Sequence, residues 1–338
     1  MLLADWRYAV TVLTGLALCL IWFALTLKRR GMRAILALPC GGLGVLAGYL
    51  CAKLVYLAFN FGPMFGANGG AALFRLEPEE FSFMGGGVGF CLGVWLGARV
   101  MGERPSLVLD AFAAPGCLLA AALRFAEIFA GNGEIALADL YTVGLPEIEE
   151  GTVFAFFPAS LQDPYGMWHF AVSTLTALCA LLIALHTVLR ARRFAAVPGL
   201  SFERAAFLLC AVQLYLELTR LVSLIFFFVH VEQVLAALIM LFLMIHACRR
   251  VRRMGGGFPV WPLVGTVLCI AVNGVTQYLM DKPWKFERLM PEGLFYWIND
   301  NLTVFGNVVM LATAVAMPLL HAWVIHRTLQ LANRNRAK

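Results

Sequence analysis

Five charged residues interrupt otherwise apolar stretches of the chain: Lys53, Arg124, Glu127, Glu217 and Arg220. A charge near the centre of a bilayer costs roughly 2.5–3.5 kcal/mol on the insertion scale, so it persists where it is paired, near a span end, or facing a polar cavity. Arg124 and Glu127 stand three apart, as do Glu217 and Arg220. That spacing brings each pair onto one helix face. One reading is a set of self-neutralised ion pairs that fix helix register. The other is a polar cavity near the outer leaflet, where Arg124 and Arg220 grip a lipid phosphate. The planar guanidinium fork matches phosphate oxygens bidentately. Arg124 lies close to the outer end of its run, before Gly131, and Arg220 lies inside a long run that ends near His230.

The elements that position these residues follow from composition. The chain has 338 residues, of which 61% are hydrophobic and 14% charged. Soluble domains carry about 25% charged residues. With a mean hydropathy of +0.81, a soluble globular protein, a disordered chain, a collagen-like repeat and a disulfide scaffold are excluded. Nine apolar runs reach spanning length, at about 8–27, 34–59, 82–102, 108–130, 168–189, 205–228, 230–248, 258–280 and 300–326. The expectation is an all-α integral membrane protein with about nine transmembrane helices.

The basic residues set the expected orientation. Eighteen of 26 Lys and Arg fall in alternate connections: 28–33, 99–105, 189–204, 248–254 and the C-terminal tail. The positive-inside rule then places the N-terminus outside and the C-terminus in the cytoplasm. That outcome requires an odd number of spans. The clusters are short and juxtamembrane, unlike the single large patch of a nucleic-acid binder, so no nucleic-acid partner is expected. The first run lacks a small-residue cleavage site and reads as a retained span.

Nine cysteines lie in or beside apolar runs with no CxxC spacing, and six histidines are scattered. The cysteines read as small apolar residues, and neither a metal site nor a cofactor is expected. The 131–167 connection has no Lys or Arg but carries Glu134, Asp139, Glu147, Glu149, Glu150 and Asp163. It is either a solvated acidic loop or a lid over a membrane site. The 60–81 connection, with Glu77, Glu79 and Glu80, lies on the same face.

These residues resemble the signatures of the prolipoprotein diacylglyceryl transferase family. That family has a Leu-Phe-Arg, a spacer, then an aromatic-His-Gly-Gly. Residues 73–89, LFRLEPEEFSFMGGGVG, keep Leu73, Phe74, Arg75, Ser82, Phe83, Gly85 and Gly86. The family then has an Asp and, fourteen residues on, an Arg in a Gly-Arg-x-Gly-Asn stretch; here Asp110 precedes Arg124 at that distance. Its late Arg-x-x-x-Glu-x-x-Arg helix is matched by QLYLELTR, with Gln213, Glu217 and Arg220, and its Gln opening the next span by Gln233. DPYGMWH at 163–169 is a weaker match to a His-Pro run before a Tyr. The chain departs from the family at four places: Met84 stands where the family has its Gly-Gly histidine, Gln213 where it has an arginine, Glu127 where it has an Asn, and Asp163 where it has a His.

The resemblance covers about 1–254 and implies a seven-span core with the outer loop 131–167, followed by a two-span extension at 255–338. It also implies the reaction. A precursor cysteine thiolate attacks the glycerol carbon of phosphatidylglycerol, glycerol phosphate leaves, and a thioether forms. The partners would be that phospholipid and a lipoprotein signal peptide, in a bacterial plasma membrane. The extension offers a surface for a further protein partner.

Positive charge must stabilise the leaving phosphate, a base must assist a thiol of pKa about 8.5, and the acyl chains need a lateral opening. Arg124, Arg220, Lys53 and Arg75 are the candidates for the first. Glu127 or His169 stands in for the family's histidine, since Met84 moves no proton. Glu217, Gln213, Gln233, Asp110, Met84, Gly85 and Gly86 would support the site. The Gly-rich run admits the lipid or simply lets two helices pack closely. Two alternatives stand beside the enzyme: a family member that binds phospholipid or signal peptide without catalysis, and an unrelated transporter. A transporter predicts two similar halves or a pair of broken helices, and the sequence has neither.

Overall fold

A computed structural model describes residues 6–61, 74, 80–129, 148–162, 166–220, 224–226, 229–285, 287 and 290–337. Arg75 and Asp163 lie outside the described residues, as does most of the 131–167 loop, including Glu134, Asp139 and Glu147. Ten α-helices lie among the described residues. Eight are long and apolar enough to cross a membrane: α1 (Trp6–Arg29), α2 (Ala37–Phe59), α3 (Phe83–Val100), α4 (Pro105–Ala126), α5 (Val172–Phe194), α7 (Val231–Arg253), α8 (Val260–Asp281) and α10 (Leu302–Arg336). Their outward surfaces carry Leu13, Ile21, Leu46, Leu92, Leu182, Phe242 and Val308, all exposed. That is the arrangement of a multi-pass membrane protein, in which lipid solvates the apolar side chains.

The sixth apolar run is shorter as a helix than its composition suggests. Helix α6 (Leu200–Leu216) has 17 residues, about 25 Å at 1.5 Å per residue, against a hydrocarbon core of about 30 Å. A 3₁₀ turn at Glu217–Thr219 follows. Beyond it, strands β3 (Ile225–Phe226) and β4 (Val229–His230) pair antiparallel before α7. Hydropathy at 205–228 registers apolar character through this turn and hairpin alike, so it cannot see where the helix stops. A second hairpin pairs β1 (Ser160–Gln162) with β2 (Trp168–Phe170). Helix α9 (Glu292–Asp300) precedes α10.

The chain forms two compact units. The first holds Met1–Thr142, Glu147–Leu209 and Arg220–Leu224. Within it, α2 and α3 run antiparallel at very close range. Glycines at every fourth position, Gly85, Gly89, Gly93 and Gly97, face α2. A Cβ on Gly89 would meet the Ala47 carbonyl, and one on Gly93 the Leu43 carbonyl, closer than real Cβ atoms approach. Gly87, on the opposite side, meets nothing within 4 Å. Small residues at this period let two backbones touch in lipid, so close helix packing accounts for the stripe. α1 lies antiparallel to α4: Gly15 meets Ala122, and the Thr26 hydroxyl donates to the Ala111 carbonyl at 2.8 Å. Phe112 of α4 stacks on Phe90 and meets Phe23 edge-on.

The second unit holds Val143–Pro146, Cys210–Thr219 and Ile225–Lys338. Here α7, α8 and α10 pack on one another. They bury Met240, Met244, Met310, Met317 and His321. The Asn273 amide of α8 donates to the Thr313 hydroxyl of α10. α7 ends at Gly255, whose φ of +86° is the left-handed conformation that suits glycine. The Gly256 N–H then closes on the Val251 carbonyl at 3.0 Å. A boundary after residue 254, drawn from sequence, separates α7 from the two helices it packs against.

A cation–aromatic–carboxylate cluster as the candidate functional site

The site grows from the start of α3. Ser82 precedes the helix with extended backbone, and its hydroxyl accepts from the Gly85 N–H at 2.9 Å. This is an N-cap, satisfying one of the donors every helix start leaves unpaired. The Ser82 N–H donates to the Ala52 carbonyl of α2 at 3.2 Å, so the residues before α3 are fixed against α2. Phe81 and Phe83 flank the cap.

Among the described residues of the first unit, the two buried cations, Lys53 and Arg124, sit on these two rings. The Lys53 ammonium of α2 lies 4.8 Å from the Phe81 ring centroid. It also pairs with the Glu80 carboxylate at 2.6 Å, with side chains only 1% and 6% exposed. The Arg124 guanidinium lies 3.8 Å from the Phe83 centroid. A cation over an aromatic face is drawn to the ring quadrupole, more strongly where water is excluded. One short segment therefore carries the ring under each cation. Sequence reasoning placed Lys53 in a span but missed its partners. The signal was available: a lysine within a span needs a carboxylate, and Glu80 lies one residue before the aromatic–Ser–aromatic run.

Arg124 also donates to Glu127 at 2.7 Å, the expected pair three residues apart. The other Glu127 oxygen is 3.3 Å from the Arg220 guanidinium. One carboxylate therefore bridges the two arginines singled out for phosphate binding. Glu127 opens the 3₁₀ turn Glu127–Phe129 that continues α4 beyond Ala126. The Arg124 side chain is 3% exposed, those of Arg220 and Glu127 12% and 21%, so the triad is reached from the Arg220–Glu127 side. It carries one net positive charge. Guanidinium groups that pair with a carboxylate are also able to pair with a phosphodiester oxygen.

Of the other expected site residues, Met84, Gly85 and Gly86 belong to the first turn of α3 that carries Phe83, while Asp110 and His169 are placed separately. Asp110 is fourteen residues before Arg124 on α4, about 21 Å along the axis. Its carboxylate accepts from the Gly199 N–H at 2.7 Å and the Phe202 N–H at 3.0 Å, and faces Arg30 at 3.8 Å. It caps the start of α6, a folding role. Gly85 and Gly86 pack against α2. Met84, in the first turn of α3, is buried. His169 lies on β2, opposite Leu161.

In the second unit, Gln213 donates to Glu217 at 2.5 Å, and Gln233 donates to the Leu214 carbonyl at 2.9 Å. The first bond lies within the end of α6 and its 3₁₀ turn, and the second ties that end to the start of α7. Among the described residues, no group of three or more His, Cys, Asp or Glu is placed to hold a metal ion.

Comparison of the chain with protein-family models, with curated proteins and with solved structures finds no match to any.

Proposed function

We propose that this protein is a phospholipid-using membrane transferase related to the prolipoprotein diacylglyceryl transferases. The observation that carries the reading is the bridged triad Arg124–Glu127–Arg220 beside Phe83. Two guanidinium groups converge on one oxyanion in a largely dry site, which is what a departing phosphate requires. In the proposed reaction the sulfur of a precursor cysteine forms a bond to the glycerol carbon of phosphatidylglycerol. The carbon–oxygen bond to phosphate breaks, and glycerol phosphate takes the electron pair. The thiol proton passes to a base, for which Glu127 is the nearest candidate once phosphate displaces it from the arginines. In the same reading α6 makes a ninth crossing, the N-terminus is outside, the C-terminus is cytoplasmic, and the membrane is a bacterial plasma membrane.

The test is incubation of the purified protein with phosphatidylglycerol and a peptide carrying a lipoprotein signal cysteine, scored by peptide mass. A diacylglyceryl adduct that depends on Arg124 is the expected result. A second reading, phospholipid binding without transfer, is favoured by two observations. Buried Met84 stands at the position of the family's histidine, and Glu127 is already held by two arginines. Phosphatidylglycerol retained by the protein with no adduct would select it, and neither retention nor adduct would reject both.

A further inference from the structure

A basic recess lies in the C-terminal unit, far along the sequence from the Arg124 triad. The wall of a groove of about 360 Å³ is formed by Trp323, His326, Arg327, Gln330, Leu331 and Arg334 of α10. That volume lies at the small end of ligand sites, about 300–1,000 Å³. Its upper end is aromatic: Trp323 meets Trp261 of α8 edge-on, with centroids 4.7 Å apart. Below it the Arg327 guanidinium lies 5.4 Å from the Trp323 centroid. Gln330 and His326 hydrogen-bond at 3.0 Å, and Arg334 is exposed at the lower end.

The surroundings carry charge of one sign. α7 ends with Arg249, Arg250, Arg252 and Arg253, and its end is joined to α10 where the Asn335 amide donates to the Met254 carbonyl at 3.3 Å. No Asp or Glu occurs between 233 and 280 or between 301 and 338.

α10 has 35 residues, about 52 Å of helix, which exceeds a hydrocarbon core of about 30 Å. Its last turns therefore emerge from the apolar layer. Tryptophan marks the water–lipid boundary, so Trp323 and Trp261 set the level of that boundary. Arg327 is one turn further out and Arg334 about 16 Å beyond Trp323. The groove thus runs from interfacial aromatics outward through the headgroup layer, with Arg327 at headgroup depth and the long Arg334 side chain able to reach back toward it. A positive-inside signal asks only for basic residues in the connection. It does not ask for an arginine stacked on an interfacial tryptophan beside a polar concavity.

We propose that this groove binds the headgroup of an anionic phospholipid, with Arg327 and Arg334 on the phosphodiester and the tryptophans against the glycerol backbone. Clustered basic residues at the membrane surface suit such headgroups. The site is independent of the proposed transferase reading.

The experiment uses the full-length protein reconstituted in phosphatidylcholine bilayers with or without phosphatidylglycerol, with retained lipid counted by native mass spectrometry. Arg327→Gln with Arg334→Gln should lose one bound phosphatidylglycerol and weaken its binding at least about tenfold, the loss expected for a charge-assisted contact. Phosphatidylcholine retention should not change. Arg249→Gln with Arg252→Gln removes equal charge outside the groove and should keep that lipid. Arg124→Ala, at the other site, should also leave it. If the glutamine pair lowers the melting temperature, Arg334→Gln alone, at an exposed position, carries the same expectation. Equal losses in the two double variants would reduce the groove to a diffuse basic field and overturn the proposal. So would an unchanged lipid count together with loss of a bound polyglutamate peptide, which would assign the groove to an acidic protein partner.

Discussion

If the triad binds phosphate as proposed, Glu127 decides what it can bind. While ionised it accepts a hydrogen bond from Arg124 and forms an ion pair with Arg220, so in the proposed reading an incoming phosphate must displace it. Glu127→Gln keeps the shape but cannot compete as an anion, and leaves two positive charges facing the opening. The variant should retain at least as much anionic lipid as the parent, while Arg124→Ala should retain less. Lipid mass spectrometry of the two purified proteins checks this, and equal retention by both would end the phosphate-site reading. Lys53 and Glu80 obey a different rule, because both are nearly sealed from solvent. Removing one partner of a buried pair leaves an uncompensated charge and costs about 3–5 kcal/mol, whereas replacing both by apolar residues is often neutral. Lys53→Met should therefore lower the thermal midpoint sharply, and Lys53→Met with Glu80→Met should recover most of it. A double variant as unstable as the single would mean that the pair holds something more than itself.

At the scale of elements, the first unit rests on how closely α2 and α3 approach. Gly89 and Gly93 leave no room for a Cβ, while Gly87 has open space. Gly89→Leu should force the helices apart, with overpacking costs of about 1–3 kcal/mol or more. Gly87→Leu should be tolerated, and thermal unfolding of the two proteins separates them. Because Ser82 and Phe83 ride on α3, the Gly89 variant should also loosen the seat of Arg124. The glycine period was legible in the sequence, and so was the Arg124–Glu127 pair, since helix spacing dictates both. The cluster as a whole was not. Phe81, Phe83 and Glu80 act through contacts with α2 and α4, between residues remote in sequence and without periodicity. Asp110 shows the opposite failure. Its spacing from Arg124 fits a site pattern, yet its carboxylate turns to the N–H groups of Gly199 and Phe202. A carboxylate with no partner on its own helix face has its role set by whichever helix start packs beside it.

At the scale of the molecule, the number of crossings and the side of each end are one question. Eight spanning helices put both termini on the same side of the membrane, and nine put them on opposite sides. The difference rests on α6, whose 17 residues fall short of a full hydrocarbon core. A short helix can still cross where the bilayer thins or flanking residues reach the interface, at fractions of a kcal/mol per Å of mismatch. Such a crossing is also eased where the residues beyond it are covered by protein. The basic connections add a separate constraint, because they alternate along the chain through α6: Arg192 and Arg193 precede it, and Arg249 to Arg253 follow α7. For both groups to face the cytoplasm, α6 and α7 must form one complete excursion across the membrane and back. The expected outcome is therefore nine crossings. Single cysteines placed at Trp6, Val153 and Ala337 on a cysteine-free background should react with a membrane-impermeant maleimide from outside intact cells at the first two positions. The third should react only after the membrane is opened. Labelling of Ala337→Cys from outside would invert the C-terminal end, and failure of Trp6→Cys to react there, with Ala337→Cys still protected, would return the count to an even number and make α6 a re-entrant helix.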